Sequence, residues 1–276
     1  MNRGARSWKA DNWADFLPST LGYSAGPVDL YAVARYRRIK RLGLRLMIPR
    51  GMLVPVERGF EVYLRHHERK DIDLAVAEPS GELTPQQRFC LAHEIAHTLF
   101  YNITRTAPTP EGAWNGLELE KTCDRTAGQI LIPTGLLKKD IGDYARIDTE
   151  LVRRIAATYR TSLSVVMRRL NLVEPSNPFD RCILLVHRAN GDGHIREAYF
   201  GVGMYRTLPR PSAYTRLTEW ISELPPSYIR RDAGPNWSTK RMGRNVVFEK
   251  TELDSGFDFL LQVQVASSAM AQTGTA

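Results

Sequence analysis

The chain has 276 residues, 43% of them hydrophobic and 25% charged, with a formal net charge of +8. That balance excludes disorder on a large scale, and no apolar run approaches the length needed to span a bilayer. Three cysteines, Cys90, Cys123 and Cys182, are too few and too odd in number for a disulfide framework. With an N-terminal stretch (MNRGARSWKADNWADF) that lacks the apolar core of a secretory signal, they point to a reducing cytoplasm.

Residues 1–26 show little periodicity and read as a loose arm. Pro27 opens a helical pattern, PVDLYAVARYRRIKRLG, with Leu30, Val33 and Ala34 on one stripe and Gly43 at the expected stop. The same region concentrates charge: Arg35, Arg37, Arg38, Lys40, Arg41, Arg45 and Arg50 fall with no acid among them. Such a patch attracts nucleic acid or an acidic partner, or is a solvated face. Next, LRLMIP, MLVPV, GFEVYLR and DIDLAVAEP read as short strands, the first three separated by Pro-Arg-Gly and Glu-Arg-Gly turns.

The following helix is well signposted. Thr84 can cap it, Pro85 suits its first turn and Gln87 completes a capping box, so the helix should run to about Tyr101 with Phe89, Ala92, Ile95, Ala96 and Leu99 on its core side. A Pro/Gly-rich loop over 104–117 leads to a helix from about Leu117 to Ile132, stopped by Pro133. More helix is expected at 134–145. Residues 148–173 read as two short helices, capped by Asp148 or Thr149 and by Ser162. Beyond EPSNPFD the texture turns to strands (RCILLVHR, GHIREAYFGV, RNVVFEK, FDFLLQVQVA) with one helix near 213–224, and the tail AQTGTA is expected to fray.

The chemistry concentrates at His93-Glu94-Ile95-Ala96-His97. Two imidazoles four apart on a helix project from one face and reach one tetrahedral metal, leaving positions for a third ligand and water. Glu94 projects further round, where it can act as a general base without being a ligand. The third ligand must come from another element. Glu118 and Glu120 both stand at the start of the segment ELEKTCDRTAGQILIP; Glu120 is chosen, with Glu118 as its rival, because Glu120, Asp124, Ala127 and Leu131 share a face. Asp124, one turn on, can then hydrogen-bond a ligand and fix its orientation. Cys90 and Cys123 lie near the site on apolar positions, as small buried residues. Tyr101 and the nearby arginines are candidate donors to a developing oxyanion. Donor type favours zinc, though manganese or another divalent ion can take the same donors.

HEIAHTLF, preceded by TPQQRFCLA and followed by ELEKTCDRTAGQILIP, resembles the ImmA/IrrE family of zinc metallopeptidases. Glu120, Asp124, Ala127, Leu131 and Pro133 match the second-helix pattern of that family. Cys123 stands where alanine is usual, Thr126 where phenylalanine is usual and Ile132 where methionine is usual. The resemblance covers about residues 27–173. It implies an α+β chain: a zincin-like peptidase domain over 27–147, a helix-turn-helix-like segment over 148–175 and a smaller α/β GAF-like sensor domain over 178–276. It also implies the function of a zinc endopeptidase that makes a limited cut in an XRE-type, helix-turn-helix transcriptional repressor, so derepressing stress and DNA-damage genes. Direct contact with DNA through the basic patch and the paired arginines of 148–175 stays open. The alternative is a DNA-binding regulator whose zinc site is structural or degenerate.

Overall fold

The computed structural model describes residues 20–46, 51–67, 69–76, 83–111, 116–142, 147–173, 181–189, 192–200, 210–212, 214–223, 238–241, 244–253 and 258–267, with Phe16 and Ile48. Most of the N-terminal arm, the tip of the Pro/Gly-rich loop, the segment 174–180 and the tail lie outside the described residues. The chain is mixed α/β and divides into two compact units, residues 1–137 with 156–162 and residues 138–155 with 163–276. Among the described residues no helix is long and apolar enough to cross a membrane.

The first unit opens with α1 (Leu30–Tyr36), whose N-terminus is capped by Asp29 Oδ1 accepting from the Tyr31 and Ala32 amides at 2.9 and 3.1 Å. Four strands follow: β1 (Ile39–Arg45), β2 (Gly51–Val56), β3 (Gly59–Arg65) and β4 (Lys70–Asp73), in sheet order β2-β3-β1-β4. β1 and β3 run parallel, while β2 and β4 join antiparallel at the two edges. Leu42, Leu44, Phe60, Val62 and Leu64 fill the core.

The helix expected to continue to Gly43 ends at Tyr36. Arg38 adopts a left-handed backbone (φ 60°) and turns the chain into β1. Sheet pairing decides this: the Phe60 amide donates to Arg38 O at 3.0 Å, so Ile39 begins a ladder instead of a helical turn. Consequently β1 lies earlier than the strand expected at LRLMIP. Two glycines permit the close approach of chains here. A Cβ on Gly59 would collide with the Arg38 carbonyl, and one on Gly43 would sit 2.5 Å from the Tyr63 ring.

α2 (Pro85–His97) starts as expected: Thr84 Oγ1 accepts from the Gln87 amide (3.2 Å) and Gln87 Oε1 accepts from the Thr84 amide (3.0 Å). A short 3₁₀ turn (Thr98–Phe100) and a two-residue ladder of β5 (Tyr101–Asn102) with β6 (Thr109–Pro110) lead to α3 (Gly116–Leu131). Then come α4 (Thr134–Gly142), α5 (Thr149–Thr158) and α6 (Leu163–Leu172). Asp148 caps α5, accepting from the Leu151 amide at 2.9 Å.

In the second unit β7 (Arg181–Ala189), β8 (Asp192–Phe200), β9 (Ser238–Arg241), β10 (Arg244–Glu252) and β11 (Asp258–Ser267) form an antiparallel sheet in the order β8-β7-β11-β10-β9. Cys182 to Val186, Ile195, Tyr199, Trp220, Leu260 and Leu261 are buried. The register sets Ile183 opposite both Tyr199 and Gln262, and Phe259 opposite Val186. α6 packs along β8, where Arg168 pairs with Glu197 and Asn171 Nδ2 donates to Ala198 O at 2.8 Å. The helix expected near 213–224 is α7 (Leu217–Glu223). β9 has the polar sequence STKR, which lacks the apolar alternation that reveals a strand.

Candidate metal centre

α2 and α3 pack side by side and bring their polar ends into one hollow. It measures about 470 Å³ and is lined by Gly51, Phe89, Cys90, His93, Glu94, His97, Glu120 and Asp124. On α3 the face shared by Glu120, Asp124, Ala127 and Leu131 emerges from the core: Ala127 and Leu131 are fully buried, while the Asp124 and Glu120 side chains are 45% and 56% exposed.

His93 Nδ1 donates to Asp124 Oδ1 at 2.9 Å, which leaves the Nε2 lone pair facing the hollow. His97 Nε2 lies 3.0 Å from His93 Nε2. The Glu120 oxygens lie 3.1 Å from His93 Nε2 and 3.3 Å from His97 Nε2. Three electron-pair donors that converge this closely repel one another unless a positive charge sits among them. Donors about 2.0–2.2 Å from a tetrahedral zinc would be about 3.3–3.5 Å apart, so the separations fit such an ion to within a few tenths of an ångström. His93, His97 and Glu120 could thus hold a metal, all their donor atoms lying within 4.8 Å of one another. Glu118, the rival to Glu120, is not in this donor group; it is exposed and pairs with Lys121 at 3.6 Å.

Electrostatics differ across the three side chains. Burial works to lower the His93 pKa, but the Asp124 hydrogen bond and the charges of Glu94, Asp124 and Glu120 raise it overall. His97 is lowered, by burial and by its proximity to His93. Glu94 is buried, 6% exposed. Desolvation pushes its carboxyl up to about 7, helped by the charge of Glu120 and opposed by His93 and by a hydrogen bond from the Leu53 backbone.

That hydrogen bond comes from β2, and β2 contributes a second feature that sequence reasoning missed. Gly51 faces the Glu94 carboxylate so closely that a Cβ there would sit 2.5 Å from Oε1. Only the turn signal Pro-Arg-Gly marked the position, and a turn signal says nothing of what the glycine meets. Phe89, expected in the core, is half-buried and walls the hollow, its ring tilted 42° to that of His93. Tyr101 is not among the lining residues; it packs edge-on against Phe60, with ring centroids 5.3 Å apart.

Arg37, one of the cations in the basic run from Arg35 to Arg50, turns inward. Its Nε donates to Thr98 Oγ1 (2.9 Å) and its Nη2 to Thr98 O (2.8 Å), clamping the end of α2 next to His97. Burial lowers its pKa to about 10.

Residues 80–171 match the family model of the M78 peptidases described as the IrrE N-terminal-like domain. The M78 match takes in α2 and α3 with every donor of the hollow, and it is the family that HEIAH and ELEKTCDRTAGQILIP resemble. Within the M78 segment, Cys123, Thr126 and Ile132, where the sequence departs from the family pattern, are all fully buried. Burial, with the nearby carboxylates, drives the Cys123 thiol well up, so it stays protonated and is a poor ligand. Cys90, 8% exposed, lines the hollow from the apolar side. Among curated proteins nothing matches. Solved structures similar to the chain include a Mycobacterium tuberculosis transcriptional regulator, 13% identical over 97% of this chain and 80% of that one, with a TM-score of 0.46.

Proposed function

We propose that the chain is a metal-dependent endopeptidase, with His93, His97 and Glu120 holding zinc, Asp124 orienting His93 and Glu94 acting as general base. The observation that carries this reading is the convergence of the three donors at 3.0–3.3 Å with a buried carboxyl beside them. When bound, zinc supplies Lewis acidity that polarises a peptide carbonyl and acidifies water. Glu94 accepts a proton from water as the water oxygen adds to the carbonyl carbon. It returns that proton to the nitrogen as the C–N bond breaks. A carboxyl near 7 suits both transfers, and a neighbouring dication would draw it lower, toward the base form. Asp124 fixes the tautomer that aims His93 Nε2 into the hollow. Among the described residues three protein donors converge, which leaves room for water and substrate, whereas a structural zinc is closed by four; this favours an enzyme over a DNA-binding regulator with a structural site.

For the substrate we take the class that the family resemblance implies, a helix-turn-helix repressor cut once to relieve repression of stress genes. On the same footing 148–175 serves as the helix-turn-helix-like segment and 178–276 as a GAF-like sensor, and the small, odd number of cysteines favours the cytoplasm. The test is Glu94→Gln in the zinc-loaded protein, incubated with repressors from its own genome. Metal content should match the wild type while cleavage falls by about 10²–10⁴-fold. Undiminished cleavage would overturn the mechanism.

A further inference from the structure

The first unit holds a second hollow, of about 900 Å³, which shares no lining residue with the metal hollow. Arg35, Arg38, Lys40, Arg41, Arg58 and Arg105 line it, against two carboxylates, Glu61 and Asp73. Arg38 and Lys40 donate to backbone carbonyls, Ile103 O at 2.6 Å and Glu57 O at 2.8 Å. Carbonyls hold these side chains in place without cancelling their charge. Arg41, Arg58 and Arg105 are exposed. The loops that present the cations are themselves fixed: Arg58 adopts φ 58° and its amide donates to Thr106 O.

We propose that this basic hollow docks an acidic segment of the chain's own protein substrate. The inference rests on the peptidase reading above. β2 joins the two places: Gly51 at its start meets the Glu94 carboxylate, and the turn after Val56 carries Arg58 into the basic hollow. β2 is an edge strand of six residues. At about 3.4 Å per residue the two hollows are roughly 20 Å apart along it. An extended substrate therefore places its carboxylates roughly five to eight residues from the bond that is cut. Arginine dominates the wall, and its planar fork matches a carboxylate bidentately. A peptide, with spaced charges and N–H groups that need acceptors, suits a wall that also bears Glu61 and Asp73. A nucleic acid suits it less: none of the lining residues is aromatic, so bases find no stacking surface.

The experiment is fluorescence anisotropy of labelled hexaglutamate on the zinc-loaded full chain, with hexaglutamine, tripolyphosphate and oligodeoxythymidylate as comparisons. Hexaglutamate should bind, weaken with salt, and lose at least about tenfold in affinity in the triple variant Arg41→Gln, Arg58→Gln, Arg105→Gln. Circular dichroism of that variant, all three positions being exposed, should match the wild type. Equal affinity in the triple variant overturns the proposal, as does tight binding of tripolyphosphate or oligodeoxythymidylate with none of hexaglutamate. On a repressor that the wild type cuts, the triple variant should raise KM about tenfold and leave kcat unchanged; an unchanged KM overturns docking while the peptidase reading stands. Arginine-dependent hexaglutamate binding in a chain that cuts no repressor supports the acidic-segment site and sinks the peptidase reading instead.

Discussion

Gly51 has no chemistry of its own, yet it sets where Glu94 can stand. The carboxylate occupies the volume a side chain at 51 would need and is tied to β2 by the Leu53 backbone. The three atoms nearest to an added methyl group all belong to Glu94, and none to His93, His97 or Glu120. We expect Gly51→Ala to retain stoichiometric metal and to lose cleavage by about 10²-fold, since a shift near 1 Å in a reacting group has that order of effect. Metal analysis alongside a cleavage assay checks it, and full activity would show that Glu94 is not held by this contact. The glycine was invisible beforehand because sequence shows what side chains could do, not which volumes must stay empty. His93 with His97, and Glu120 with Asp124, could be singled out for the opposite reason: four-residue spacing puts each pair on one helix face, and Glu94 stands out only through the motif that contains it.

Elements stabilised by local rules were likewise readable. α2 begins at Pro85 because Thr84 and Gln87 exchange hydrogen bonds, and Gln87 Nε2 also donates to Arg65 O at 3.1 Å, tying the helix start to the end of β3. Thr84→Ala should cost about 1 kcal/mol in urea unfolding, with zinc binding retained; no loss of stability would mean the cap is redundant with the Arg65 contact. Where pairing is non-local the sequence misled. The stripe of Leu30, Val33 and Ala34 continues plausibly through Arg37 to Gly43, and nothing within that window announces that Phe60 to Arg65 will claim it as a parallel strand. β9 failed for want of apolar alternation, and Arg37 looked like one more surface cation because burial of an arginine depends on a partner at Thr98, far along the chain.

At the scale of the whole molecule, the metal is expected to act as a ligand of the native state. Zinc at about a hundred times its Kd should add about 2.7 kcal/mol to the unit that contains residues 1–137, and a chelator should remove it. Differential scanning calorimetry would register this as an upward shift of one transition, absent in His93→Ala. A shift that survives in that variant would place the metal elsewhere.

The separations within the hollow carry a consequence for how the chain assembles. His93 lies 27 positions from Glu120 and 31 from Asp124, a helix pair closed by one modest loop. Gly51 and Glu94 are more than forty positions apart, and their contact requires the finished sheet. Loop closure grows costlier with length, and a strand ladder forms more slowly than a pair of adjacent helices. An order of assembly follows for refolding of the full chain: the helix pair can bring His93, His97 and Glu120 together by itself, whereas Glu94 meets Gly51 only once β2 has joined the sheet.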